Sequence, residues 1–474
     1  MYKRTAQVKD IHEAYSINVC KDDGCHCSSV ETFVMKAERR MADIRFHLFK
    51  QLKTILRMTD LFETKPRPIP ITKEMVREAY RKVRSNKGSA GIDEESLEQF
   101  QTNVSKNLYK IWNRLSSGSY FPMPVKLVMI PKANGGKRPL GIPTISDRVA
   151  QEVVKSYLEP RLEQVFMPNS YGYRPHKSAH HAIAKVRENV RQFAWVIDMD
   201  IQRFFEEVSH ELLLKAIAKH VQEKWVLLYI KRWLEVPTQS KDGLVFNEGK
   251  GTPQGAVISP LLANLFLHYV LDKWLEKMFP SITFVRYADD VIIHCKSEAE
   301  SKAVLSSIKA RLEDCKLSLS EKKTKITYCK NYLRKENNNY PKHFDFLGFR
   351  FKPMSKKSNR GGMFLGFDCG ISLPSRTRII DKWRAMNFHR RSTETLQSLA
   401  EILNPISRGI IRYYGAIDKW SVRKLFYHLE LRLAKWVKNK YKSTKNSYKK
   451  SYDWLQGIKA SHPTMFCHWT LFAN

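Results

Sequence analysis

The stretch "FVRYADDVIIHC", Phe284 to Cys295, sets two adjacent carboxylates between two runs of β-branched and aromatic residues. Such runs read as strands and the short link between them as a hairpin, a conformation that needs neither acid. Asp289 and Asp290 repel each other there, so a fold that keeps both must use concentrated negative charge. The rest of the chain sharpens the point. Its 474 residues hold 82 Lys and Arg against 47 Asp and Glu, a net charge of +35. An excess of this size suits a polyanionic partner, because each phosphate neutralised releases counterions. An anionic membrane is the competing partner. No stretch of about 18 apolar residues spans a bilayer, however, and the start "MYKRTAQVKD" lacks the apolar region of a signal peptide. The expectation is a soluble, cytoplasmic, nucleic-acid-binding protein with no membrane partner. With 43% hydrophobic residues the chain can bury more than one core.

Eight cysteines agree with a reducing compartment. Cys20, Cys25 and Cys27 cluster around His26 in "CKDDGCHCSS". A zinc site wants four ligands, usually as two pairs separated by a loop, and no second pair lies nearby. Free thiols in an N-terminal loop are the simpler reading.

Apolar spacing predicts a helix within residues 30–58, and "KPRPIPI" reads as a linker with its three prolines. A helix resumes from Thr72, followed by the Gly-rich turn "NKGSAGIDEES". "MPVKLVMIPKANGGKRPLGIP" reads as a hairpin with a basic tip and arm. "TISDRVAQEVVKSYLEPRLEQVF" reads as a helix capped by Ser146 or Asp147, "FAWVIDMDI" as a strand, and "ISPLLANLFLHYVLDKWLEKMF" as a long helix closed by Pro280. "FDFLGFRF" is strand-like, and "KSNRGG", Lys357 to Gly362, reads as a loop between two parts of the chain. Helices and strands mix without regular alternation, which favours an α+β domain. Beyond about residue 374 the text is nearly all helix. Ser375 to Asn474 holds 20 Lys and Arg against six Asp and Glu. In "SVRKLFYHLELRLAKWVKNKYK" the apolar residues keep helical spacing while cations decorate the rest, the pattern of a phosphate-binding face.

Paired acids in so basic a chain suit phosphoryl transfer onto a growing nucleic acid. That chemistry uses two Mg²⁺ ions, one to acidify the attacking 3′-hydroxyl and one to hold the triphosphate. Mg²⁺ is held by a few carboxylates plus substrate phosphates. A third carboxylate should come from a neighbouring strand. In "WVIDMDIQRFF" both Asp198 and Asp200 qualify, sharing one face with Val196.

"NKGSAGID", "IPKANGGKRPLGIPTISDRVAQ", "SYGYRPHKSAHHAI", "DMDIQRFFEEVSH", "GTPQGAVISPLLANLFL", "RYADD", "EKKTKI" and "FDFLGFRF" follow one another in the order of the reverse transcriptases. The chain resembles specifically those encoded by group II introns, the intron maturases. "LNPISRGIIRYYG", Leu403 to Gly415, resembles their maturase-specific thumb, domain X. The resemblance implies a right-hand polymerase. Residues 1–66 would form an N-terminal helical extension, 67–355 the fingers and palm with an antiparallel sheet, and 356–474 a three-helix-type α-helical thumb.

The resemblance also implies roles. Asp200, lying five residues before Phe205, forms the catalytic triad with Asp289 and Asp290, leaving Asp198 to support the strand. The metal ligands become Asp200, Ile201, Asp289 and Asp290, holding two Mg²⁺ for which Mn²⁺ can substitute. Phe205 gates the sugar, Lys132 and Arg138 contact the triphosphate, Gln254 and Gly255 form the turn under the nucleotide and template, and Lys323 lies near the triphosphate. RNA contacts fall to Arg408, Arg412, Arg432, Lys435, Lys438 and Lys440. The partners implied are intron RNA, an RNA template with a DNA primer, and deoxynucleoside triphosphates. Three departures stand out: Ala256 replaces a second glycine after Gln254, Glu206 stands in "FFE" where the family has Asp, and "AGID" is followed by "EES". None removes a metal ligand. "MFCHWTLFAN" closes the sequence with a lone Cys467-His468 pair, so no HNH endonuclease is expected. A domesticated enzyme of defence or repair, and an RNA-binding maturase with an idle polymerase site, remain the alternatives.

Overall fold

The structure is a computed structural model that describes residues 69–472 except 132–135, 241–242, 247, 359–360 and 445–446. The expected helix within 30–58, the cluster Cys20, Cys25 and Cys27, and Lys132 lie outside the described residues.

Eleven short strands among the described residues form three sheets. In chain order they are β1 Val125–Pro131, β2 Lys137–Ile142, β3 Trp195–Asp200, β4 Thr238–Ser240, β5 Gly243–Val245, β6 Thr283–Tyr287, β7 Asp290–Cys295, β8 Lys325–Tyr328, β9 Phe344–Phe346, β10 Phe349–Lys357 and β11 Met363–Ile371. The basic hairpin β1–β2 forms as expected, with Val128 opposite Leu140 and Ile130 opposite Arg138. It heads the sheet β2-β1-β4-β5. The central sheet, in order β6-β7-β3-β8, is antiparallel throughout.

Alternation along β3 explains its place at the centre. Trp195, Ile197 and Met199 enter one apolar core with the helices Ile145–Glu163, Ser259–Leu267 and Glu298–Asp314. Val196 enters the other, with Val285 and Ile292, the helix Ala179–Gln192, the third sheet and the C-terminal helices. Both faces are covered, and the two polar residues of β3, Asp198 and Asp200, fall in its C-terminal half, with Asp200 at the open end.

Several sequence readings shift. The cap of the helix Ile145–Glu163 is Thr144, whose hydroxyl accepts from Asp147 N at 3.1 Å, rather than Ser146 or Asp147. Asp147 sits a turn further in, where Tyr120 and Thr144 hydroxyls donate to its carboxylate, each at 2.7 Å. The long helix from Ser259 contains a π-turn at His268–Asp272 before Lys273–Met278. Lys357–Gly362 connects two strands that pair with each other, so it is no extended linker. It is the tip of a hairpin whose register runs unbroken from Phe349 opposite Ile371 to Lys357 opposite Met363. Its Gly and polar residues suit a tight turn as well as a linker. The strand β10 therefore crosses the boundary expected at residues 355–356.

The helical part begins at Leu373–Ala385 and continues through Leu396–Tyr414, Lys419–Lys440 and Tyr448–Ser461. The fourth of these was not expected in a three-helix thumb. Trp383, Phe426, Trp436 and Trp469 fill its core. No described helix is long and apolar enough to cross a membrane.

Candidate active site

The hairpin β6–β7 turns in two residues, Ala288 and Asp289, with Tyr287 opposite Asp290. Ala288 has φ 56°, a left-handed conformation unusual for a residue with a Cβ. A buried network holds it there. The Arg286 guanidinium donates to Asp272 Oδ1 at 2.7 Å and Oδ2 at 2.6 Å, to Asn264 Oδ1 at 2.8 Å, and to the Ala288 carbonyl at 3.1 Å. Arg286 and Asp272 are both fully buried. The Asn264 amide donates in turn to the Gly172 carbonyl at 2.6 Å. Gly172 lies so close that a Cβ there would come within 2.4 Å of Ala288 N. The acidic turn is thus clamped from two sides.

Cross-strand pairing then brings the acids together. Asp200, the last residue of β3, lies directly opposite Asp290, the first of β7. Asp198 shares their face but pairs with Ile292, one step deeper in the sheet. Burial, then the charges of Asp290 and Asp345, push the Asp198 pKa up to about 7. Asp290 keeps an open tip, but the surrounding protein and the charges of Asp289 and Asp200 push it up to about 6. Burial and Asp200 raise Asp289 as well. The segment after the helix Glu298–Asp314 wraps the end of β3: Gln202 N donates to Ser318 O at 2.8 Å and Ser320 N to Asp200 O at 2.9 Å. It also delivers Lys323, whose ammonium donates to Asp200 Oδ1 at 3.2 Å and Oδ2 at 3.0 Å.

These residues open onto a cleft of about 1010 Å³, to which Arg138, Phe205, Gln254, Asp200, Ile201, Asp289 and Lys323 all contribute. Of the residues predicted for polymerisation, these seven line the cleft, Asp290 stands beside it opposite Asp200, Lys132 lies outside the described residues, and Gly255 does not reach the cleft. Gly255 stands just behind, at φ 110°, where a Cβ would meet Gly141 O at 2.4 Å. Gly141 N donates to Gln254 O at 2.6 Å, so this turn docks on β2 of the basic hairpin. Ala256 is buried there without displacing the turn. Phe205 is half-buried, its ring 5.3 Å from Phe204 at 67°. Glu206 also lines the cleft, paired with Arg203.

Sequence reasoning gave no role to Tyr173, which lines the cleft with φ 55° and stands 6.4 Å from the Tyr287 ring. The left-handed backbone beside Gly172 is not visible in residue types. Nor were Arg286 and Asp272 singled out.

The donor set suits a hard divalent cation. Carboxylates stand at the paired ends of two strands, and burial, then repulsion between the acids, favours the protonated forms of Asp289 and Asp290. Among the described residues no three His, Cys, Asp or Glu side chains stand close enough to enclose an ion. An ion shared with substrate phosphates needs no such cage.

The expected RNA contacts lie on two C-terminal helices. Arg408 and Arg412 are exposed on Leu396–Tyr414, and Lys435 is exposed on Lys419–Lys440. Arg432 and Lys438 are half-buried. Lys440 departs from the expected face: it shares the azimuth of core residues Leu429 and Leu433 and donates to the carbonyls of Ser392, at 3.0 Å, and Glu394. His468 is buried in the core of this part, and Cys467 beside it is half-buried. The His468 ring pairs with buried Glu430 at 2.6 Å and stacks on Phe426.

Comparisons with known proteins identify the family. The family described as reverse transcriptase (RNA-dependent DNA polymerase) matches residues 130–351, and the group II intron, maturase-specific domain matches residues 376–453. Protein YkfC of Escherichia coli is 31% identical over 331 residues, covering 61% of this chain and 83% of that one. The group II intron-encoded protein LtrA of Lactococcus lactis is 27% identical over 454 residues, covering 77% and 73%. A telomerase structure from Candida albicans is similar over 77% of this chain and 65% of that one, at 13% identity and TM-score 0.42, too loosely to bear on any residue. The chain belongs to the group II intron-encoded reverse transcriptase/maturase family: it is an RNA-directed DNA polymerase followed by a maturase-specific domain.

Proposed function

We propose that the cleft is the polymerase active site, with Asp200, Asp289 and Asp290 as its catalytic acids. The observation that carries this reading is the pairing of Asp200 with Asp290 across β3 and β7, with Asp289 beside them at the mouth of the cleft. Reverse transcriptases use divalent metal ions. Here two Mg²⁺, held by the three carboxylates and the Ile201 carbonyl, would acidify the primer 3′-hydroxyl and neutralise the departing phosphates. Mn²⁺ has the same oxygen preference and would substitute.

The chain's own groups do the rest. Arg138, with Lys132 at the hairpin tip, meets the triphosphate of the incoming deoxynucleotide with fixed positive charge. Gln254 and Gly255 form the floor on which the nucleotide and template base rest. Phe205 fills the space a ribose 2′-hydroxyl would need. Lys323 leaves Asp200 for the triphosphate.

The described fingers and palm run to Ile371 and the helical thumb follows from Leu373. An N-terminal extension up to about residue 66 would precede them. Nucleic acid is the partner of both matched domains. We assign an RNA template with a DNA primer to the cleft and intron RNA to the cations of the helical part, in the cytoplasm, where the protein would assist splicing and mobility. The test is primer extension on an RNA template by the wild type and by Asp289→Asn. The amide keeps the shape and is a poor Mg²⁺ ligand, so extension should vanish while RNA affinity stays near wild type. Robust extension by the variant would reject the site.

A further inference from the structure

The helix Lys419–Lys440 buries Val422, Leu425, Phe426, Leu429, Leu433, Trp436 and Val437. On the opposite side, at positions i, i+4, i+7, i+15 and i+18, stand Trp420, Lys424, Tyr427, Lys435 and Lys438, two aromatic rings and three cations along one stripe. Trp420 is 62% exposed and Tyr427 52%. Neither ring has spilled over from the core, because 3.6 residues per turn puts both on the far side from it. The Lys424 ammonium lies 5.1 Å from the Trp420 ring. Tyr448, from the next helix, reaches the Leu431 carbonyl of this one and leaves a third ring 41% exposed. The stripe bears no negative charge. The helix's one carboxylate, Glu430, is 3% exposed and accepts from His468 and Trp469 on the buried side.

A solvated helix face needs cations but not large rings. A duplex offers phosphates to the cations but keeps its base faces hidden, so the rings would go unused. An unpaired strand offers both phosphates and flat π-faces. At 1.5 Å per residue, Trp420 and Tyr427 stand about 10.5 Å apart along the axis, roughly three stacked nucleotides at 3.4 Å each. We infer that this face is a stacking platform for an unpaired polynucleotide strand. The inference rests on the reading of the helical part as RNA-binding, and it names what that part grips: single-stranded nucleotides, through rings as well as charge.

The test compares the wild type with Trp420→Ala/Tyr427→Ala and with the conservative Trp420→Phe/Tyr427→Phe. The probes are an unstructured RNA of about 12 nucleotides, its DNA equivalent and a duplex of the same length. A 5-iodouridine-substituted RNA is also photocrosslinked and its attachment sites mapped. Expected results are crosslinks at Trp420 or Tyr427 and single-strand affinity about 10-fold to 100-fold weaker in the alanine variant. Duplex binding and melting temperature should be unchanged, and affinity recovered with phenylalanine. Comparing RNA with DNA tells which strand is preferred. Equal losses on single strand and duplex, unchanged single-strand affinity, or crosslinks confined to other regions would each overturn the inference, the last two leaving the face to an acidic protein or to solvent. Primer extension by the wild type is scored separately, so failure of the polymerase reading is distinguishable from failure of the platform.

Discussion

The Lys323 ammonium donates to both carboxylate oxygens of Asp200, at 3.0 and 3.2 Å, and so occupies the approach to the acid that pairs with Asp290. The pair is largely open to water, its side chains 64% and 30% exposed, and such pairs contribute no more than about 1 kcal/mol. An incoming cation has to break it. Lys323→Ala should therefore lower the Mn²⁺ concentration for half-saturation by up to about 5-fold, read by electron paramagnetic resonance. The single-turnover extension rate should fall, since the triphosphate loses a positive contact. Weaker metal binding in the variant would contradict this account.

The raised pKa of Asp290 gives a stability effect of definite sign. Its folded value, about 6, lies above the ordinary 3.8, so the folded state holds a proton more firmly. That contribution is fully present below about pH 4 and is lost as pH rises through 6. Without metal at pH 7, Asp290→Asn should melt higher than the wild type, by no more than about 1 kcal/mol given the open tip. The advantage should shrink as pH falls from 7 to 4. Thermal melts across that range check it, and a variant less stable at pH 7 would refute it.

Arg286 and Asp272 are buried together, so removing one strands the other. Asp272→Asn should cost about 3–5 kcal/mol in denaturant unfolding. Replacing both, as Arg286→Met/Asp272→Leu, should recover most of that loss because the volume is kept and no charge is left alone. Extension should remain impaired in the double variant, because the Ala288 carbonyl has lost its donor and the turn carrying Asp289 is no longer held. Full recovery of both properties would make the pair purely structural.

Phe205→Ala should raise incorporation of ribonucleotides relative to deoxynucleotides, by roughly 10-fold or more if the ring excludes a 2′-hydroxyl. Competition assays with matched nucleotides measure the ratio. An unchanged ratio would reduce Phe205 to a packing partner of Phe204.

The central sheet was legible because strand alternation and spacing are local properties. Val196, Asp198 and Asp200 share a face wherever β3 is placed, and the runs Phe284–Tyr287 and Val291–Cys295 read as strands although their turn, at Ala288, is held by distant residues. What escaped was long-range or depended on azimuth. Asp272 meets Arg286 from the end of a π-turn, which no spacing rule for a regular helix anticipates. Lys440 was grouped with Lys435 by charge, although its position on the helix turns it toward the core. Lys357–Gly362 has the composition of a link, and only the pairing of β10 with β11 makes it a hairpin tip.

The π-turn at His268–Asp272 also bears on how this chain can be edited. It carries one residue more than a regular helix would use over the same span. Deleting a single residue there would restore ordinary winding and leave Lys273 to Met278 near their present azimuth, because the wide turn already absorbs the surplus residue. Deleting one from the regular turns on either side would instead swing everything beyond it by about 100° about the axis. Loss of a residue should therefore be tolerated better inside this stretch than beside it, provided that Asp272 keeps its place against Arg286. For this segment the inherited quantity is a direction rather than a length.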